Sequence, residues 1–501
     1  MSTLTFQSSN ADTLSATETR ADAAPGTRTL LKPDIAVIGA GSGGLSVAAA
    51  AAAFGVEVVL IEKGKMGGDC LNYGCVPSKA VIAAGKHAQA IREAAKYGVS
   101  AGEPRIDYAK VHDHVQGVIA TIAPNDSVER FTALGVKVIQ AAGRFVDADT
   151  IVAGAYEIRA RRVVIATGSS AFVPPIEGLP EVDYLTNESL FDLTELPEHL
   201  IVVGGGPIGM EMAQAHRRLG SRVTVLEGGR ALGKDDPELT AIVLDKVRED
   251  GVDVRENTKV VSVAPGEGGG VAVAVETPTG AETVRGTHLL IAAGRKANVE
   301  GLGLDEAGIK YNRRGIEVTK KMRSSNRRVY AIGDVAGGFQ FTHMAGYHAG
   351  LVIRAMLFRL PAKENTEIVP WATYTDPELG HVGLNEEQAR EKYGTVNVLR
   401  WPYAENDRAQ AERKTAGMIK LITAKRGRIV GASIAGAGAG EILNTMSLAV
   451  SQKLKVADMT GFISPYPTLT EIGKRAATSA LAPAARKPLV RRVVNFLQKF
   501  G

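Results

Sequence analysis

Apolar residues in this chain gather in short unbroken runs rather than in alternation. The clearest are IAVI at 35–38, VVLI at 58–61, VVIA at 163–166, LIVV at 200–203, LLIAA at 289–293 and VYAI at 329–332. Runs of this kind predict strands covered on both faces, as in parallel sheets. Between the first two lies the small-residue stretch SGGLSVAAAAAA, and after LIVV comes PIGMEMAQAHRRL. Both have the length and composition of helices. Strand, helix, strand therefore occurs twice, and the pattern predicts an α/β fold with two Rossmann-like units. A chain of 501 residues has room for two to four domains.

Glycine spacing gives these units their chemistry. Gly39, Gly41 and Gly44 form GxGxxG after the first strand, and Glu62 ends the next strand. Such a turn needs one glycine to bend, one to let backbone approach a pyrophosphate and one to pack helix on strand. The helix N-terminus faces the anion with free N–H groups, and the acid is placed for a ribose diol. Gly204, Gly206, Gly209 and Glu227 repeat the plan with the same spacing. Each copy has a later strand ending in a small-residue turn, at Thr167–Gly168 and at Gly294. A third strand ends at Gly333–Asp334, where ligands gather in doubly wound sheets. A lone glycine turn is common, but this ordered set predicts two bound dinucleotides. A second nicotinamide would add little to a first. A flavin beside it can take a hydride and return electrons to a thiol pair.

Composition supplies that pair. The only cysteines, Cys70 and Cys75, lie in GGDCLNYGCVPSKA at 67–80. An i,i+5 pair in a regular helix is ~7.5 Å apart along the axis, whereas a disulfide wants Cα atoms ~4.4–6.8 Å apart. The segment must therefore be distorted, with Gly74 giving latitude, and Cys75 is expected at a helix start that lowers its pKa. A metal site lacks further ligands, the nearest histidine being His87. Two cysteines exclude an extracellular disulfide framework. No apolar stretch is long enough for a spanning helix. A net charge of +5 is modest for this size, and no nucleic-acid partner is expected. Residues 1–32 lack the apolar block of a secretory signal and carry Asp12, Glu18 and Asp22; they read as a disordered tail.

The cysteine segment, the paired GxGxxG units, ATG and AIGD together resemble the class I pyridine nucleotide-disulfide oxidoreductases. That family includes glutathione reductase, dihydrolipoamide dehydrogenase and mercuric reductase. The resemblance runs from about residue 33 to about 478. It implies an FAD-binding domain at 33–184 and 301–365, an NAD(P)-binding domain at 185–300, and a C-terminal α+β dimerisation domain at 366–480 of a homodimer. It implies that Gly39, Gly41, Gly44, Glu62, Thr167, Gly168, Gly333 and Asp334 serve FAD, while Gly204, Gly206, Gly209, Glu227 and Gly294 serve NAD(P)H. Cys75 becomes the thiol facing the flavin, Cys70 the one exchanging with substrate, and Lys79 and Glu211 an ion pair beside the flavin. Glu227 suits a 2′-hydroxyl and so favours NADH, with Arg222 and Arg230 near enough to serve a phosphate.

The resemblance breaks at SPYPTLTEIGKRAA. Tyr466 stands where disulfide reductases have a proton-shuttling histidine, and Glu471 keeps the glutamate position. Tyrosine, with pKa ~10, is a poor base near neutrality. Packing at the dimer interface is the plain alternative for Tyr466. Mercuric reductases resemble the chain here, since a metal ion leaving thiolates needs no such shuttle. They also carry a terminal cysteine pair, whereas this chain ends VVNFLQKFG. The expected activity is NAD(P)H oxidation through FAD and the Cys70–Cys75 disulfide, delivering electrons to a metal ion such as Hg(II), a small disulfide or a quinone. Tyr466 and Glu471 of one subunit are expected to shape the acceptor pocket of the other. Dihydrolipoamide dehydrogenase and a low-turnover redox sensor at the membrane are the alternatives. His343 reads equally as a flavin neighbour or a helix start. Residues 481–501 read as a basic amphipathic helix, either docked on the protein or touching a membrane from the cytoplasmic side.

Overall fold

The run Ile35–Ile38 occupies the centre of a five-stranded parallel sheet in the computed structural model, which describes residues 28–482 and 487–500. Its neighbours, in sheet order, are Val329–Ala331, Arg162–Ile165, Ile35–Ile38, Val58–Glu62 and Lys137–Gln140. All four residues of the central strand are buried, as a sheet covered on both faces requires. The helix Ser42–Ala53 covers one face together with Thr342–Leu357, and its alanines let the two approach closely.

A second parallel sheet has the order Asp253–Arg255, Arg222–Leu226, His199–Val203, His288–Ile291. Leu185 already hydrogen-bonds to Leu289 of this sheet, at 2.7 Å. An antiparallel three-stranded ribbon, Lys259–Pro265, Val271–Thr277 and Gly280–Gly286, completes that unit. Beyond it the chain returns through Val329–Ala331 to the first sheet. A five-stranded antiparallel sheet comes last, ordered Pro370–Thr373, Glu378–Gly383, Arg428–Gly436, Met418–Ala424, Asn397–Pro402.

One expectation changes. Thr29–Leu31 falls within the segment read as a tail, yet it is a strand, paired parallel with Tyr156–Ile158. Three residues carry no periodicity, and their partner lies over 120 positions away, so only the tertiary fold defines them. Residues 1–27 of that segment lie outside the described residues. At the other end, the expected helix forms over Pro488–Leu497; residues 483–486 and 501 lie outside the described residues.

Candidate active site

The two glycine turns have nearly the same geometry. Gly39 and Gly204 both have left-handed φ, +105° and +113°. A Cβ on either would lie 2.4 Å from a carbonyl oxygen of the neighbouring strand end, Ala166 or Ala292. A Cβ on Gly44 or Gly209 would lie 1.8 or 1.9 Å from the carbonyl of the first glycine in its own turn. These two therefore pack beneath their turns and face no cavity. The middle glycines differ in kind: nothing lies closer than 3.9 Å to Gly41 or within 4 Å of Gly206 on that side. The open space adjoins the N-termini of Ser42–Ala53 and Pro207–Leu219, whose free N–H groups suit a phosphate. Each acid folds back on its turn. Glu62 accepts from Ala40 N at 2.6 Å and Gly64 N at 2.7 Å; Glu227 accepts from Gly205 N at 2.7 Å and Gly229 N at 2.8 Å.

Both turns open into one cavity of about 1570 Å³, which Glu62, Glu227, Cys70, Cys75, Lys79, Glu211, Thr167, Gly168, Gly294, Gly333 and Asp334 also border. This exceeds the roughly 300–1,000 Å³ of a single small-molecule site, so there is room for more than one extended ligand.

The cysteines lie on separate helices. Cys70 is in Gly68–Asn72 and Cys75 is the first residue of Cys75–Glu93. Tyr73 and Gly74 leave helical geometry between them, which supplies the distortion the spacing demands. Asp69, within the first of these helices, turns its carboxylate toward the break and is held by Asn187 Nδ2 at 3.0 Å and Arg295 Nη2 at 3.1 Å. A Cβ on Gly74 would come 2.8 Å from the Asp69 carboxylate. Gly68 touches the first turn, with space for no Cβ against Gly41. The thiols have opposite acidities. A hydrogen bond from Cys70 brings the Cys75 pKa down to about 6, assisted by the Thr342 hydroxyl 3.4 Å away and by the Lys79 charge, against the cost of burial. The same hydrogen bond, with burial, pushes the Cys70 thiol up. Cys75 thus favours the thiolate and Cys70 the thiol.

Lys79 joins three parts of the chain. Its ammonium is 2.8 Å from Glu211 Oε2 and 4.5 Å from the Tyr374 ring centroid. Glu211 is buried, and its other oxygen accepts from Tyr374 N at 2.9 Å. The carboxylate is therefore fixed before it meets the lysine.

Arg295 belongs to no motif read from the sequence. It donates to Ser169 Oγ at 2.7 Å and Ser169 O at 2.8 Å, and also reaches Asp69. Ser169 Oγ in turn donates to Asp334 Oδ2 at 2.5 Å. One guanidinium thus ties the ATG turn, the Gly333–Asp334 turn and the cysteine segment together. Burial raises the Asp334 pKa. Behind that turn, His348 Nδ1 accepts from Gly333 N at 3.1 Å, while its Nε2 lies 3.0 Å from Glu364. The visible signal for Arg295 is positional, since it succeeds the Gly294 turn as Ser169 succeeds Gly168.

Tyr466 and Glu471 stand apart from this cluster, and neither borders the cavity of its own chain. Tyr466 is 67% exposed and donates to Asp407 Oδ2 at 2.8 Å, a bond that raises the phenol pKa. Glu471 begins the helix Glu471–Ser479. His343 borders the cavity as the second residue of Thr342–Leu357, stacked on Phe341 at 5.1 Å, with Nε2 2.7 Å from Pro370 O; burial lowers its pKa.

Comparison with known proteins agrees with this geometry. Residues 33–349 match the pyridine nucleotide-disulphide oxidoreductase model, and residues 369–477 match the dimerisation domain of that group. Mercuric reductase of Streptomyces lividans is 34% identical over 462 residues, 90% of this chain and 97% of the relative. Dihydrolipoyl dehydrogenase of Geobacillus stearothermophilus is also 34% identical, over 463 residues and the same shares. Among solved structures, LpdA of Mycobacterium tuberculosis superposes with TM-score 0.82 at 26% identity, over 90% of this chain and 99% of that one. A Cu(II) complex of the HOCl-induced flavoprotein disulfide reductase RclA of Escherichia coli superposes with TM-score 0.79 at 27% identity, over 89% and 99%.

Proposed function

The chain belongs to the pyridine nucleotide-disulphide oxidoreductase family, and from that premise we propose that its Cys70–Cys75 pair carries electrons from NAD(P)H, by way of FAD, to an external acceptor. One observation carries the reading: a thiolate-favouring Cys75 opens, with its partner Cys70, into the cavity that both glycine turns share.

The residues fit a dinucleotide at each turn, because Gly41 and Gly206 leave clear the space a pyrophosphate needs. The first turn, Glu62, Thr167, Gly168, Gly333 and Asp334 would hold FAD; the second turn, Glu227 and Gly294 would hold the nicotinamide nucleotide. FAD, when bound, accepts hydride from the nicotinamide and hands the electron pair to the cysteine bridge. Lys79 keeps a fixed positive charge beside that transfer, held by Glu211 and the Tyr374 ring. Opening the bridge takes two electrons and one proton, leaving Cys75 as thiolate and Cys70 as thiol. Cys70 exchanges with the acceptor, its proton passing to the Cys75 thiolate or to water as its sulfur bonds. Glu227 presents negative charge at the ribose end of its site and opposes a 2′-phosphate, so NADH is favoured despite Arg230 at the cavity wall.

The dimerisation domain supports a homodimer, and Tyr466 and Glu471 act from the partner subunit on the acceptor pocket. With tyrosine in place of a base, acceptors that need no shuttled proton come first. A thiophilic metal ion such as Hg(II) leads, ahead of a quinone and a small disulfide. The mercuric reductase relative and the Cu(II) complex of RclA support that order. The setting we favour is cytoplasmic, with the carboxyl-terminal helix against a membrane's inner face. A second reading, dihydrolipoamide oxidation, has the equal identity to dihydrolipoyl dehydrogenase in its favour. Steady-state assays of purified holoenzyme with Hg(II), lipoamide, oxidised glutathione and a soluble quinone separate the readings. Turnover with Hg(II) and little with lipoamide is expected. Fast lipoamide turnover in the parent, without Tyr466→His, would overturn the order.

A further inference from the structure

The helix Pro488–Leu497, extended by the turn Gln498–Phe500, has no task in the catalytic reading. At 100° per residue, Leu489, Val490, Val493, Val494, Phe496, Leu497 and Phe500 fill one continuous arc of about 160°. Arg491, Arg492, Asn495, Gln498 and Lys499 fill the rest, with Pro488 of the first turn among them. Every residue from Lys487 to Phe500 is exposed in the protomer, Leu489 and Phe500 at 72% and 74%. No described part of the chain's own body covers the apolar arc.

Charge selects what does. Residues 472–501 contain seven lysines and arginines (Lys474, Arg475, Arg486, Lys487, Arg491, Arg492 and Lys499) and no aspartate or glutamate. A second copy of the helix would bring only like charge to such a contact. An anionic lipid surface offers an apolar interior for the arc and phosphates for the flanking cations. The helix is ~15 Å long, half of the roughly 30 Å needed to span a bilayer. Among the described residues, no helix is long and apolar enough to cross.

Deepening the membrane setting proposed for the enzyme, on which it rests, we infer that this helix lies flat on anionic bilayers, its phenylalanines in the acyl boundary and Arg491, Arg492 and Lys499 at the headgroups. A homodimer presents two such helices, so the second engagement is intramolecular and strengthens the first.

The test is flotation of full-length holoenzyme with vesicles of phosphatidylcholine alone or with one-third phosphatidylglycerol. Binding is expected only with phosphatidylglycerol, and it should fall steeply between 0.1 and 1 M salt as charges are screened. The R491Q/R492Q pair should weaken partitioning about 30-fold, at about fivefold per charge. F496D/F500D should abolish it. NADH reduction of the flavin, measured on the same samples, should stay unchanged in both variants. Absence of flotation on either vesicle, equal binding to phosphatidylcholine alone, or retained binding by F496D/F500D would each overturn the docking while leaving the catalytic reading intact. A shift of F496D/F500D from dimer to monomer in sedimentation would overturn it too, since a second copy would then be the occupant.

Discussion

The two nucleotide turns share one scaffold and differ in the chain that leaves it. In both, the first glycine lies against a neighbouring strand end, the third packs beneath the turn and the middle one faces open space, with distances agreeing within about a tenth of an ångström where backbone is concerned. Past the second strand they diverge. After Glu62 the chain enters the helix bearing Cys70 and then the one headed by Cys75; after Glu227 it runs through a loop to Pro237–Glu249. The second unit's contribution comes earlier, from Glu211 on its turn helix, which reaches across to Lys79 of the first. On the function proposed above, nucleotide binding is the repeated part and redox chemistry is built where the copies stop being alike.

The widest separation of the copies should come from their third glycines. Gly44→Ala and Gly209→Ala create the same clash, but the expected losses differ. Gly44→Ala should give protein that retains no flavin, whereas Gly209→Ala should stay yellow while losing reduction by NADH. Absorbance at 450 nm and stopped-flow reduction check this, with destabilisation upward of about 4 kcal/mol in each by thermal melting. Equal flavin loss from both would erase the assignment of the turns. Next in size, Glu227→Ala should move the NADPH-to-NADH ratio of kcat/KM upward by about tenfold or more, read from initial rates at saturating acceptor. An unchanged ratio would remove Glu227 from nucleotide selection.

A smaller effect concerns acidity. In the reduced enzyme Cys75 should titrate near pH 6, tracked by thiolate absorbance at 240 nm, and Lys79→Met should move that titration upward because a favourable charge is gone. A thiol with a lowered folded pKa contributes stability fully above the unfolded value near ~8.5, and that contribution is lost as pH falls through about 6. Melting temperature of the reduced enzyme relative to the oxidised should therefore fall from pH 9 to pH 5. A flat difference would contradict the assignment. Smallest of all, Arg295→Lys should retain flavin and lose several-fold in rate, since an ammonium cannot bridge Ser169 and Asp69 as the fork does.

Much of this architecture is visible in the sequence. The parallel strands announce themselves as unbroken apolar runs, the turns as glycine spacing, and the break before Cys75 as a geometric necessity of an i,i+5 pair. Lys79 and Glu211 come only through the family resemblance, since nothing local links two residues 132 positions apart. Arg295, Ser169, Tyr374 and His348 stay hidden for the same reason. Each acts through a contact between segments far apart in the sequence, and neither period nor spacing encodes which side chains will meet there. The strand Thr29–Leu31 is hidden in the same way: it has too few residues to show a pattern and is defined by a distant partner alone.

An anaerobic titration of the oxidised holoenzyme with NADH, counted per bound FAD, asks the central question directly. Uptake of two equivalents, falling to one in Cys70→Ser, is the result expected of a flavin working in series with a Cys70–Cys75 disulfide. A single equivalent in the unmodified enzyme would mean that the thiols stand outside the electron path, and the account would fail there.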